Sequence, residues 1–121
     1  MRAIYDAFGR GDIDTIQNEL FAPEITFHTP GNNQIAGDHV GIEAVLAFFG
    51  KIFQLSGGTF HIEVHDVTGS DDHAVGLTEG VMERDGKTHR YRNIHVAHFK
   101  GNKLVEFWEN PEVDKFDAAW A

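Results

Sequence analysis

Glu109 is the residue in this chain whose surroundings would most change its chemistry. It lies in the stretch Arg92 to Asn110, RNIHVAHFKGNKLVEFWEN, which reads as two strands joined at Gly101-Asn102, a dipeptide that supplies positive φ at little steric cost. Counting back from that turn, Lys100 faces Lys103, Val96 faces Phe107 and Ile94 faces Glu109. Cross-strand partners share a face, so Ile94, Val96, His98, Val105, Phe107 and Glu109 are expected on one side of the hairpin. A carboxylate among apolar neighbours loses solvation, and its pKa rises towards the range useful for taking a proton beside a carbonyl. Glu109 is therefore a candidate general base. The competing reading is a structural ion pair with Arg92, its diagonal neighbour.

The same counting extends to the strands before it. From a second tight turn at Asp85-Gly86, Val81 faces Arg90, Glu79 faces Arg92 and Leu77 faces Ile94. A four-residue loop at Gly69 to Asp72 would set Val64 against Leu77 and Ile62 against Glu79. The inner face is then expected to hold Glu79, Arg92, His98 and Glu109 in a lining of apolar residues, provided no bulge intervenes. Arg92 is a candidate for binding a ligand carboxylate or enolate oxygen, and its alternative is a structural pair with Glu79. Glu79 could also be the working acid, and His98 could serve as a pocket acid-base group. Tyr5, Phe27, Thr29, Phe53, Val96 and Phe107 complete the expected ligand-binding set.

By this register the outer face carries His65, Gly76, His95 and Trp108 in one row, and Glu63, Thr78, Asn93 and Asn110 in the next. His61, Glu63 and His65 share a face but match no known ligand spacing, so no metal is expected. Small residues (Ala74, Gly76, Gly80, Ala97) beside Tyr91, Phe99, Leu104 and Trp108 suit a flat packed surface, and a homodimer through it is expected.

Elements that could position these groups follow from periodicity. Apolar residues recur at helical spacing from Arg2 to Phe8, after Asp12 as N-cap, and over Gly41 to Leu55. Glu24 to Thr29 alternates as a strand with Ile25, Phe27 and Thr29 on one face. From Phe60 onwards the period is two, until Pro111 ends the last strand and Asp114 to Trp120 forms a short helix. Helices first and a long antiparallel meander afterwards is an α+β order in one domain spanning 1–121.

Composition narrows the partners. A formal net charge of −9 argues against nucleic acid or an anionic membrane. No segment approaches the ~18 apolar residues of a membrane span, and no signal peptide is expected at the start. The absence of cysteine excludes disulfides, thiolate metal sites and cysteine nucleophiles, and the cytoplasm is the default location.

The motifs AIYDAFGRGDIDTI, FAPEITFHTPG, GIEAVLAFFGKI and NIHVAHFKGNKLVEFWENPE, followed by FDAAW, resemble in order and spacing the nuclear transport factor 2-like superfamily, and more closely its SnoaL-like, polyketide cyclase-like branch. The resemblance implies a cone of curved antiparallel sheet wrapped by three N-terminal helices, with a pocket in its mouth. Ketosteroid isomerases of this superfamily use a tyrosine and two acids, and the corresponding places here hold Ile4, Thr29 and either Ile94 or His95, so that chemistry is not expected. SnoaL-like cyclases use an acid late in the final strand with an assisting histidine; Glu109 falls on the acid, and the histidine is either His98, on the expected inner face, or His95. The implied function is cofactor-free isomerase, cyclase or lyase-like proton transfer on a small hydrophobic carbonyl compound. The alternative is a non-catalytic ligand-binding or dimeric interaction domain, the latter with its pocket filled by Phe27, Phe53, Phe107 and Trp120.

Overall fold

Both tight turns form where the sequence places them. Asp85 and Gly86 have φ of 54° and 77°, and Gly101 and Asn102 have 56° and 66°, the double positive φ that matches strand twist in a two-residue hairpin. A computed structural model describes all residues from Met1 to Ala121. The turns join strands β4 (His73–Arg84), β5 (Lys87–Lys100) and β6 (Lys103–Pro111). With β1 (Phe21–Thr29), β2 (Gly37–Val40) and β3 (His61–Gly69) they make one six-stranded curved sheet in the order β2-β1-β6-β5-β4-β3. Only β1 and β6 run parallel.

Helices cover the concave side. α1 (Arg2–Gly9) buries Ile4, Ala7 and Phe8. Asp12 caps α2 (Ile13–Thr15), accepting from the Thr15 amide at 3.2 Å and the Thr15 hydroxyl at 2.7 Å. This helix widens into a π-helical turn over Ile16–Leu20 and passes directly into β1. α3 (Ile42–Leu55) inserts Val45, Phe48, Phe49 and Ile52 into the cone. α4 (Val113–Ala119) follows β6 and leads to the fully buried Trp120. Phe27 stacks on Phe107 with ring centroids 4.4 Å apart and meets Phe49 edge-on at 5.5 Å, so aromatic contacts join sheet to helix. The short edge strand β2 was not foreseen from the sequence. It is tied down by His28, which bridges Asp38 (2.8 Å) and Glu106 (2.6 Å).

Two bulges decide which side chains face the cone. Lys100 pairs with Lys103 and Phe99 with Leu104, as counted from the turn. The next pair is His98 with Glu106, so Val105 is an extra residue in β6. Beyond it Ala97 faces Phe107, Val96 faces Trp108 and His95 faces Glu109. A second slip occurs in β3 at His65, between the pairs Val64–Thr78 and Asp66–Leu77. Between the bulges the hairpin register is the expected one, with Val81 opposite Arg90, Glu79 opposite Arg92 and Leu77 opposite Ile94. The β4–β5 hairpin is thus internally correct but turned over relative to its neighbours, because each one-residue slip exchanges the faces of a strand.

Several expectations are corrected by this reversal. Arg92, Glu79, Val96 and His98 lie on the convex side, not in the cone. The Arg92 side chain is 76% exposed and pairs with Glu112 at 3.4 Å. Glu79 is bound by Arg90 at 2.9 Å and His65 at 3.2 Å, not by Arg92. His98 stacks on His73 with centroids 4.8 Å apart, and Val96 pairs with Val75 and Trp108. Conversely Ala74, Gly76, Thr78, Gly80, Tyr91, Asn93, His95, Ala97 and Leu104, expected outside, are buried, so most of the flat surface expected to carry a dimer belongs to the inside of the cone. The convex face keeps Leu77 and Ile94, paired across strands and 43% and 46% exposed.

The glycines of β4 give a steric reason for this choice of face. A Cβ on Gly76 would overlap the Tyr5 hydroxyl, and one on Gly80 would lie 2.7 Å from the Tyr91 hydroxyl. Each glycine lets a tyrosine lie flat against the sheet, which a side chain there would prevent.

Candidate active site

The Glu109 carboxyl is held by two donors from different strands. Its Oε2 accepts from Thr29 Oγ1 at 2.6 Å, and its Oε1 accepts from Asn93 Nδ2 at 3.1 Å. Thr29 ends β1 and is brought alongside by the parallel pairing of Phe27 with Phe107. Asn93 is itself fixed, because its Oδ1 accepts from the Asn110 amide at 3.0 Å. Thr78 Oγ1 donates to the Asn93 carbonyl at 2.7 Å, so that the strand behind the asparagine is also bonded. Thr29, Thr78 and Asn93 are all buried. Glu109 as a residue is only partly buried, yet its carboxyl sits among these groups and the aromatic lining. Burial pushes that carboxyl up to about 7, against the downward pull of the two hydrogen bonds. Each oxygen keeps a second lone pair free.

His95, directly opposite Glu109, is buried, and in its one hydrogen bond Nδ1 lies 2.8 Å from the Tyr5 hydroxyl. With Tyr5 as the donor in this bond, the imidazole proton is on Nε2. No side-chain polar atom is sealed away without a partner, so Nε2 opens onto the cavity. Burial lowers the His95 pKa to about 3, and the ring is neutral throughout the physiological range. The Tyr5 phenol is pushed up by burial and then by the nearby Glu109 charge, so it keeps its hydrogen.

These groups line a cavity of about 50 Å³ between α1, α3 and the concave sheet. Its walls are mostly apolar and include Phe8, Phe27, Phe49, Phe107 and Trp120, with no lysine or arginine. The volume holds a few waters and not a drug-sized ligand. Among the residues singled out in the sequence, Glu109, Tyr5, Phe27 and Phe107 line it and Thr29 supports Glu109 from behind. Phe53 instead stacks on Phe8 at 5.4 Å and does not line it. Arg92, Glu79, Val96 and His98 are outside altogether. No group of three or more histidine or acidic side chains is arranged to hold a metal.

Asn93, Thr78 and Tyr91 were not anticipated as site residues, and His95 only as the less favoured of two histidines. The usable signal was Gly76 and Gly80, which stand opposite His95 and Tyr91 across the β4–β5 ladder. Apolar counting overrode it, because Leu77, Ile94 and Val96 resemble core residues more than Tyr91, Asn93 and His95 do.

The profile of the SnoaL-like domain matches residues 1–107. Bal32a, from a soil-derived mobile gene cassette, is 36% identical with a TM-score of 0.94, the match covering 99% of this chain and 92% of that one. An uncharacterised protein of Mycobacterium tuberculosis is 27% identical over all of this chain and 93% of its own length. IdmH, a putative polyketide cyclase from Streptomyces antibioticus, is 19% identical with a TM-score of 0.74 over 96% of this chain and 91% of that one, a likeness of fold.

Proposed function

This chain belongs to the SnoaL-like domain family, and from that premise we propose that it is a small cofactor-free enzyme of isomerase or cyclase type, with Glu109 as general base on a neutral, apolar carbonyl compound. The observation that carries the reading is the Glu109 carboxyl, oriented by Thr29 and Asn93 and titrating near neutrality in an apolar cavity. In its ionised form it takes a proton from the carbon beside the carbonyl. The C–H pair becomes the enolate C=C bond while the carbonyl π pair moves to oxygen. In a β,γ-unsaturated ketone the enolate is a dienolate, and return of the proton to its γ carbon gives the conjugated isomer. Attack of an enolate carbon on a second carbonyl instead closes a ring, and the new alkoxide oxygen takes the proton back from Glu109. Neither route needs an oxidant or reductant. The His95 Nε2–H, neutral and fixed by Tyr5, donates to the oxygen on which charge develops. A positioned base is worth about 10²–10⁴ in rate.

The absence of cationic side chains from the walls favours an uncharged substrate. The small volume favours a compact one, or one end of a larger molecule. The fold shared with the putative polyketide cyclase IdmH is in keeping with the ring-closing variant.

The test is deuterium exchange beside the carbonyl of small cyclic ketones and enones in D₂O, followed by NMR. Wild-type protein should catalyse exchange with a rate that rises through pH 7, and Glu109→Gln should lose about 10²–10⁴ of it while still melting cooperatively. Exchange that survives this substitution removes Glu109 as the base. Tight ligand binding with no exchange by either protein supports the non-catalytic binding domain instead.

The same proposal includes a cytoplasmic homodimer through the convex sheet face. Leu77 and Ile94 are exposed side by side there, flanked by the Val75–Val96 pair and by Trp108. Sedimentation at micromolar concentration should show a dimer that Ile94→Lys dissociates, and a wild-type monomer refutes this contact.

A further inference from the structure

We propose that Tyr91 is a hydrogen-bond donor to a ligand oxygen in the cavity, and that Trp120 is the positioning residue that commits it to that role. This rests on the cavity assigned above and adds a second donor to it, distinct from His95.

The argument is one of hydrogen-bond direction. Tyr91 lies on β5, is 2% exposed and lines the same cavity as Glu109. Its ring rests against Gly80 and meets Phe116 edge-on at 5.0 Å, so the side chain has one seat. The phenol oxygen is 3.2 Å from Trp120 Nε1. An indole N–H can only donate, so the tyrosine oxygen accepts in this bond. The phenol hydrogen is then left over, and no protein group accepts it. Trp120 is completely buried and meets Phe60 edge-on at 5.4 Å, so it cannot swing away to release the oxygen. Burial and the Glu109 charge hold the Tyr91 pKa well above its usual value, and the group stays a donor instead of becoming an acid.

The chemistry that fits is a neutral or enolate-like oxygen on an otherwise apolar compound, such as a ketone, a quinone or a phenol. Asn93 intervenes between Tyr91 and His95 on the same face of β5. At about 3.3 Å per residue this sets the backbone positions of the two donors about 13 Å apart. Tyr91 therefore approaches the ligand from a different direction than His95 does.

The probe is 4-nitrophenol, whose ionised form absorbs visibly, titrated into the Glu109→Gln protein so that no carboxylate repels the phenolate. Binding is expected there, and adding Tyr91→Phe should weaken it tenfold or more, with a smaller ionised fraction in the bound state. Trp120→Phe, which leaves Tyr91 in place, should weaken it about threefold. The chain has two tyrosines, so Glu109→Gln protein labelled with ¹³Cζ-tyrosine gives two resonances, told apart with Tyr5→Phe. The Tyr91 signal should move on saturation with the probe, a readout that needs no change at Tyr91 itself. Binding to Glu109→Gln that is unchanged within twofold by Tyr91→Phe, or a Tyr91 signal that stays still, overturns the role of Tyr91 alone. Failure of Glu109→Gln to bind the probe overturns it together with the carbonyl-site reading.

Discussion

Replacing Glu109 by glutamine should change the pH dependence of stability, and the size of the change follows from the site. The folded protein holds this carboxyl at about 7 against an ordinary 4.5. At ~1.4 kcal/mol per tenfold change in proton affinity, ionising it in the folded state costs about 3 kcal/mol more than in the unfolded chain. Because the folded pKa is the higher one, the folded state binds more protons between these values. Stability is therefore greatest below about pH 4.5 as far as this group is concerned, and is lost as pH rises through 7. Glutamine cannot ionise and removes that slope. With its amide oxygen towards Asn93 and its nitrogen donating to the Thr29 hydroxyl, it gives up only the Thr29 donation, at a constant cost of about 1 kcal/mol. Urea unfolding of both proteins from pH 4.5 to 8.5 reads the difference directly. The gap between the two curves should close or invert by about 3 kcal/mol in favour of the variant as pH rises. Parallel curves across that range would refute the buried, perturbed carboxyl and with it the basis for calling Glu109 a base.

Other consequences can be checked separately. His95 is held neutral with its pKa lowered to about 3, so the unfolded chain takes up the proton first and stability falls as pH drops below about 6.5. His95→Asn should flatten that acid limb by several kcal/mol in the same unfolding experiment. Gly80→Ala places a methyl against the Tyr91 ring and should destabilise by about 1–3 kcal/mol in thermal melts, with a shift in tyrosine fluorescence. Asp12→Ala removes both bonds to Thr15 and should cost about 0.5–2 kcal/mol in urea unfolding, without altering ligand binding. Arg92→Ala, on the convex face beside Glu112, should leave the exchange rate unchanged in the deuterium assay, whereas Asn93→Ala removes a bond that holds the Glu109 pKa down and should raise the pH midpoint of exchange and cut the rate at least tenfold.

How much of this was legible beforehand depends on the range over which each signal acts. The helices, the Asp12 cap and both hairpin turns are properties of a few neighbouring residues, and local periodicity with turn chemistry placed them. The motifs in order also identified the family and its cone. Glu109 and Phe107 are inward as expected because the bulge at Val105 absorbs the extra residue: Leu104, expected outside, is buried before it, and beyond it the expected alternation of Phe107 and Glu109 holds. β2 escaped notice because four residues, GDHV, carry too little alternation to register as a strand.

The facing of β5 was another matter. The hairpin Gly101-Asn102 fixes only the first two pairs, and Val105 then slips the ladder by one residue. Nothing in KLVEF marks that slip, since a bulge is stabilised by contacts on both faces of a sheet and by neighbouring strands. The chain by itself determined that an acid would end the last strand beneath an aromatic lining, within a SnoaL-like cone. Which partners it meets there was decided by tertiary structure. The strand β1 supplied Thr29, the helix α1 supplied Tyr5, and two glycines on β4 made room for the tyrosines. The bulge at Val105 exchanged Ile94 and Arg92 for His95 and Asn93, because in a ladder of period two a single extra residue turns every later side chain to the opposite face.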